Sequence, residues 1–404
     1  MTWLRKILDA TKRLESPASF WYWSFLASIS AVAKDNVWVE RDGAFQLYPN
    51  IYVMLLARSG LRKGLPIKFA KDLVKKVNNT RMISGRSSIQ GILKKLGTAY
   101  TIEGKGVMTK SSGFVAASEF TSSLVEDRAA LAILTDLYDR HWNPDEWESL
   151  LKMENFKLKD PIISMLLGTN SPHFKDFVPD KDIFGGFIGR MFVISEEKTR
   201  CRNPLVRKTE TFSILNTLRD DLNIHMSEVA KLKGEFEWDE DALDKFDDWY
   251  MDFFKTVDAQ ENIDDTGTIE RFGDSVLKVA MLLSLSEKPE LKLNSNNIEE
   301  AITVCEKLVG NLRKVTLGKG GKSPMAFQKT LVIEELLKRQ PHEISRVMLL
   351  KKYWMHFSGE ELTEVIRTLD EAGFIRTEVH GNTMVYIMPD AVVGKLQEYM
   401  RGKG

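Results

Sequence analysis

The sequence predicts an α/β protein: a mainly parallel sheet, then an all-α subdomain, then a small C-terminal domain of three helices and two strands. Three observations carry this expectation. Short apolar runs at 51–56, 113–117, 162–168 and 191–195 alternate with helical segments such as 129–138, the order that builds a parallel sheet. From about Leu205 to Val315, charged and apolar residues fall at helical spacing with little strand signal. The Gly/Lys tract from Gly318 to Ser323 then marks a linker. The expected parts are an N-terminal helix and hairpin (1–50), an α/β core (51–204), a helical lid (205–317), the linker (318–323) and a C-terminal domain (324–404).

The first element is a buried helix over 17–34, with Ser16 as N-cap and Pro17 at the first helical position. Arg5, Lys6, Lys12 and Arg13 before the apolar stretch 20–33 imitate a secretory signal, but Asp9 and Glu15 interrupt the basic region and Phe20-Trp21-Tyr22-Trp23 is too aromatic for a signal core. The stretch is also short for a membrane span, which needs about 20 apolar residues. Val37 to Glu40 and Ala44 to Leu47 around Asp42-Gly43 read as a hairpin. Ile51 to Leu56, continuously apolar, suits a central strand buried on both faces, and Ile67 to Val77 an amphipathic helix.

Composition bounds the function. The chain has 404 residues, 43% hydrophobic and 28% charged, which excludes disordered and collagen-like classes. Lys plus Arg equal Asp plus Glu at 57 each, so DNA contact, if any, rests on local patches rather than a global basic field. Two cysteines, Cys201 and Cys305, support neither a disulfide framework nor a thiolate zinc site, and a reducing cytoplasm is expected. The six histidines lie scattered, with no H-E-x-x-H helix and no G-x-S-x-G elbow, which leaves metal-hydrolase and Ser-nucleophile readings without support.

The loop Ala57-Arg58-Ser59-Gly60-Leu61-Arg62-Lys63-Gly64 occupies the place between strand and helix where a P-loop sits. Backbone N–H groups and a lysine cradle phosphates at such a helix N-terminus. Against G-x-x-x-x-G-K-[ST], Ala57 and Arg62 stand in for the glycines, Lys63 keeps the lysine, and Gly64 replaces the hydroxyl residue. The alternative is a basic surface turn. Strand 113–117 ends in Ser118-Glu119, in order for a Walker B element whose glutamate polarises water, or else for an acid that caps the next helix. A competing acid, Asp136, falls on a helical face with Leu131, Leu134 and Tyr138. The strand at 162–168 leads to Asn170, placed to bond a γ-phosphate or water. Arg190 stands before the last core strand, where AAA+ ATPases carry a trans-acting arginine finger, and Arg271, before an apolar helix, is a candidate to reach nucleotide from the lid.

The ordered set Glu15-Ser16-Pro17-Ala18-Ser19, Tyr48-Pro49-Asn50-Ile51-Tyr52-Val53, Ser59 to Gly64, Ser118-Glu119-Phe120, Leu167 to Pro172 and Gly186 to Arg190 resembles the phage and mobile-element primase/helicase-like ATPases. The resemblance spans about 15 to 195. It implies a RecA/AAA+-like P-loop NTPase core, ATP and Mg²⁺ as cofactors, single-stranded or forked DNA as partner, and a homo-oligomeric ring, expected to be hexameric. By that resemblance Lys63 contacts phosphates with Ser59, Gly60, Arg62 and Gly64, Glu119 is the catalytic acid and holds Mg²⁺ through water, Asn170 is the sensor and Arg190 the finger. The sequence departs from the family at Gly64, where a Ser or Thr is usual, and at Ser118, where an Asp is usual. Both usual protein supports for Mg²⁺ are therefore absent from those positions.

Residues 81–110 hold Arg81, Arg86, Lys94, Lys95, Lys105 and Lys110 against Glu103, a basic stretch from which Arg86, Lys105 and Lys110 are the candidate DNA contacts. Beyond the linker, helices near 324–339, 343–354 and 358–372 precede strands 374–379 and 383–387, the winged-helix order. The third helix carries Glu360, Glu361, Glu364, Asp370 and Glu371 against Arg367, which suits a protein partner better than a major groove. The expected function is an ATP-driven DNA motor or remodeller in phage or mobile-element replication. The alternative is a weakly or non-hydrolysing loader that recruits a replication protein through its C-terminal domain.

Overall fold

The computed structural model describes residues 2–41, 43, 45–77, 80–85, 87–97, 100–102, 105–107, 111–118, 128–139, 146–150, 155–170, 186–203, 210–258, 267–313, 324–353, 359–381 and 383–401, with backbone alone at 100–102, 105–107, 128–129, 146–150, 155–157, 210–213, 256, 258, 309–313, 324–327 and 397–401. They fall into two compact units, Met1–Val309 and Gly310–Gly404.

The first unit begins with α1 (Trp3–Ala10) and α2 (Ala18–Ala33), followed by the antiparallel hairpin β1 (Val37–Arg41) and β2 (Phe45–Leu47). The core then runs β3 (Tyr52–Leu56), α3 (Gly64–Lys76), β4 (Arg81–Ser84), α4 (Ile89–Gly97), the pair β5 (Tyr100–Ile102) and β6 (Lys105–Val107), and β7 (Ser112–Ala117). It continues through α5 (Arg128–Tyr138), the pair β8 (Glu146–Leu150) and β9 (Asn155–Lys159), β10 (Ile162–Thr169) and β11 (Met191–Ser195). Helices α6 (Glu210–Val229), α7 (Glu240–Asp258), α8 (Phe272–Glu287) and α9 (Ser295–Arg313) complete it, with the short strands β12 (Gly234–Glu235), β13 (Glu237–Trp238) and β14 (Lys292–Leu293) between them.

Five strands, all parallel, form the central sheet of a mixed α/β core in the order β11-β3-β10-β7-β4. β3 and β10 are buried at every position, as continuous apolar runs covered on both faces must be. Helix α2 is apolar around its whole circumference, so it lies inside the fold and packs on α3, β10 and α8. Ser30 locks it to the sheet: its hydroxyl shares a 2.7 Å bond with Ser164 and accepts from the Ile51 N–H at 3.1 Å. The N-cap of α2 is Pro17, without a side-chain capping bond, rather than Ser16, whose buried hydroxyl has no hydrogen-bond partner among the described residues. α3 buries Pro66, Ile67, Ala70, Leu73 and Val74, one stripe at helical spacing.

Strand β4 and helix α4 divide the basic stretch 81–110. Arg81 opens an edge strand paired to β7 and is 3% exposed, while Lys94 and Lys95 lie exposed on α4. Arg86 and Lys110 lie outside the described residues. Lys105 is placed in β6 by its backbone alone.

The second unit comprises α10 (Pro324–Leu337), β15 (Glu343–Ser345), α11 (Arg346–Lys352), α12 (Gly359–Glu371), β16 (Arg376–His380), β17 (Thr383–Ile387) and α13 (Asp390–Arg401), its antiparallel sheet ordered β15-β17-β16. Residues 343–345 are a strand, not the start of a helix. Ser345 caps α11 by accepting from the Met348 N–H. The linker at 318–323 lies outside the described residues. At the heart of this unit Glu335, 2% exposed, accepts from Arg339, Lys352 and the Tyr353 hydroxyl. Burial opposes ionisation of its carboxyl, but these three donors outweigh it and hold the pKa below the ordinary value. Glu335→Ala should cost this unit ~2 kcal/mol in urea unfolding, less than for a fully buried pair because Lys352 and Arg339 are partly solvated.

Candidate functional site

The crossover from β3 travels through α3 to β4 at the far edge, whereas the connection out of β10 returns the other way to β11. The carboxyl ends of β3 and β10, neighbours in the sheet, therefore form a topological switch point, where open α/β sheets leave a crevice for ligands. Register makes this edge level: Leu56 pairs with Thr169 and Ser195, and Ala117 with Leu167. The Ala57 N–H donates to the Thr169 carbonyl at 3.3 Å and the Glu196 N–H to the Leu56 carbonyl at 3.0 Å.

The loop 57–63 rises from this edge into α3. Gly60 and Arg62 both adopt left-handed backbone, φ +90° and +58°. Arg62 stands where the P-loop pattern has glycine, so the chain takes the turn that glycine makes readily with a residue for which it costs about 1–2 kcal/mol. Lys63 caps the start of α3, and its Nζ turns back to donate to the carbonyls of Ala57 (2.5 Å) and Arg58 (3.3 Å). Arg58, Ser59, Gly60 and Arg62 are exposed.

The N-terminal segment straps the same edge. Arg62 Nε lies 3.2 Å from Glu15 Oε2, the Asn203 N–H donates to the other oxygen of Glu15, and the Glu15 carbonyl accepts from the Arg200 N–H. The Arg62 guanidinium, with the Asn203 N–H, holds the Glu15 carboxyl below its ordinary range. Ser19 donates to Glu196 at 2.5 Å. Sequence reasoning missed Glu15 as a loop partner.

Ser118 and Gly168 set the floor. A Cβ on Gly168 would meet the Ser118 carbonyl oxygen at 2.5 Å, so only glycine lets β10 pass this close to the end of β7. A Cβ on Gly64 would lie 3.9 Å from the Cβ of Ser118. The two positions that depart from the P-loop pattern thus face one another. A divalent cation accompanying a nucleotide would meet a bare glycine and one neutral hydroxyl there, a poor donor set for a hard cation that prefers carboxylate oxygens. Gly64 and Ser118 by themselves do not fit Mg²⁺, and Glu119, expected to hold it through water, lies outside the described residues.

Of the expected site residues, Ser59, Gly60, Arg62, Lys63 and Gly64 come together on the loop, and Asn170, half-buried, directly follows β10 on the same edge. Glu119 lies outside the described residues, one position after Ser118.

Arg190 and Arg271 lie away from the loop. Arg190 precedes β11, whose first residue pairs with Tyr52, so it sits at the amino edge of the sheet, about 17 Å of strand from the loop. It is also enclosed: its side chain is 7% exposed, ion-paired with Asp139 (Nε to Oδ2 2.8 Å), and Nη1 donates to the Gly186 carbonyl at 2.6 Å. A projecting finger would require that pairing to break. Arg271 donates to the Gly267 carbonyl and acts electrostatically on Tyr138, whose carbonyl accepts from Asn50 just before β3. It belongs to the same far edge. Lys278 of α8, which the sequence did not single out, is buried there, donating to the carbonyl (3.1 Å) and side-chain oxygen (2.6 Å) of Asn50.

No helix among the described residues is long and apolar enough to cross a membrane. No family model matches the chain, and no curated protein matches it.

Proposed function

We propose that this chain binds a nucleoside triphosphate, ATP being the expected one, on the loop 57–64, and that binding rather than rapid hydrolysis is its principal event. The observation that carries this reading is a lysine-bearing, left-handed loop opening a helix at the switch point of a parallel sheet, where N–H groups, the helix N-terminus and cationic side chains converge on one crevice. Phosphate oxygens would replace the Ala57 and Arg58 carbonyls as partners of Lys63, and Asn170 would bond the terminal phosphate or a water. The facing Gly64 and Ser118 and the enclosed Arg190 favour the loader over the motor: among the described residues neither a metal support nor a free finger stands ready for fast turnover.

The wider assignment follows the resemblance to phage and mobile-element primase/helicase-like ATPases: a P-loop NTPase of the AAA+ kind that assembles as a hexameric ring on single-stranded or forked DNA. The second unit has the helix, strand, helix, helix, strand, strand order of a winged helix, and the acids of α12 fit a basic protein partner in replication. In the motor reading, Glu119 activates water and ATP turnover rises with single-stranded DNA.

Lys63→Ala should weaken ATP binding by about tenfold or more, the worth of one charge-assisted hydrogen bond to phosphate, as read by titration calorimetry. Unchanged binding would remove the nucleotide reading. Glu119→Gln separates the two forms: if single-stranded DNA stimulates turnover and this variant abolishes it, the chain is a motor. Arg62→Gly should change thermal stability by less than about 1 kcal/mol, the relief of left-handed strain being offset by a freer unfolded chain and the lost Glu15 ion pair, while weakening ATP binding.

A further inference from the structure

We infer that nucleotide binding on loop 57–64 does not depend on a divalent cation, the loop's own arginines and lysine supplying the charge the cation would otherwise bring. The inference deepens the nucleotide reading and rests on it.

Two independent observations lead to it. The first is the donor set. Gly64 and Ser118 face one another at the place where a metal beside the phosphates would be held, and together they offer a single neutral hydroxyl. Packing does not impose this: the nearest atom to a Cβ on Gly64 is 3.9 Å away, an ordinary contact, and no left-handed φ is recorded there. A Cβ has room at position 64, yet the chain places glycine there.

The second is charge. Arg58, Arg62 and Lys63 put three cations within six positions of the loop. Arg58 is exposed, and Arg62, its side chain 65% exposed, is held up from the loop in a left-handed turn with Glu15 as its ion-pair partner. A guanidinium fork matches phosphate oxygens bidentately and stays charged at every physiological pH. A metal-free triphosphate carries a charge near −4, and Mg²⁺ would offset two of these charges. Two arginines offset the same number without a metal, and Arg62 can exchange Glu15 for a phosphate by rotating its side chain alone.

The test is calorimetric titration of the full chain with ATP, once in EDTA and once in Mg²⁺. The wild type should bind with dissociation constants within about threefold of each other, since no first-sphere protein ligand for the metal is gained or lost. Arg62→Gly, which keeps the backbone turn, should weaken binding in EDTA by about tenfold. The pair Gly64→Thr with Ser118→Asp should convert the site to one that binds about tenfold or more tightly with Mg²⁺ than in EDTA. Wild-type binding that appears only with Mg²⁺, or a double variant as indifferent to the metal as the wild type, overturns the inference while leaving the nucleotide reading in place. Absence of ATP binding in both buffers, or binding that Lys63→Ala leaves untouched, overturns the nucleotide reading itself and the inference with it.

Discussion

Gly168→Ala should destabilise the 1–309 unit by ~3 kcal/mol and displace the loop edge, although it adds one methyl group. The added Cβ would stand 2.5 Å from the Ser118 carbonyl oxygen, 3.1 Å from its carbonyl carbon and 3.3 Å from Ile67 Cδ1. Two of those three atoms are backbone, so no side-chain rotation relieves the clash. Either β10 or the residue ending β7 must move, and both are central strands of the sheet. That places the cost at the upper end of what overpacking a core produces. The displacement falls on Ser118 and on Ile67 of α3, the helix that begins at the loop, so nucleotide affinity should fall with stability. Gly91→Ala is the control: its Cβ would meet only Ser88 Oγ at 3.5 Å on exposed α4, and there alanine should be neutral or add up to about 1 kcal/mol. Urea unfolding of both variants reads the difference, and equal midpoints would refute the close approach.

That contact is invisible in the sequence, and the reason separates what was legible from what was not. β3, β7, β10 and β11 stand out as apolar runs because both faces are covered, so burial leaves an unbroken mark along each strand. β4 leaves none: it is four residues long, lies on the edge and starts with an arginine. The loop could be found because strand, turn, lysine and helix are consecutive. The partners that define its surroundings are not consecutive. Glu15 reaches Arg62 across 47 positions, and Gly168 approaches Ser118 across the sheet. Where Arg190 and Arg271 lie was not legible for the same reason. Their places before a strand and before a helix say nothing about which end of the sheet they occupy; strand direction assigns Arg190 to the amino edge, and Arg271 acts there electrostatically on Tyr138.

At that edge Lys278 should give the fold an alkaline gain in stability that Lys278→Met abolishes. Lys278 is 2% exposed, with Tyr138's ring 4.1 Å from Nζ and Asn50 as its hydrogen-bond partner. Burial pulls its pKa down to about 7. Asp139 and Asp274 oppose the shift, and Arg190 adds to it. An unfolded lysine titrates near 10.4, so between about pH 7 and 10 the unfolded chain holds a proton that the folded chain has released. Stability therefore rises with pH across that window, by up to ~1.4 kcal/mol per pH unit, and is flat below it, where both states are protonated and the full penalty of the buried charge is present. Methionine removes the penalty, on the order of 4 kcal/mol, but leaves the two Asn50 oxygens without their ammonium, a loss of about 2 kcal/mol. Lys278→Met should then exceed the wild type by ~2 kcal/mol at pH 6 and lose that advantage by pH 9, as the wild type gains roughly 3 kcal/mol. Urea unfolding at the two pH values measures it. Parallel pH dependence in the two proteins would mean that Lys278 stays charged in the folded state, held by Asp139 and Asp274 more strongly than burial disfavours it.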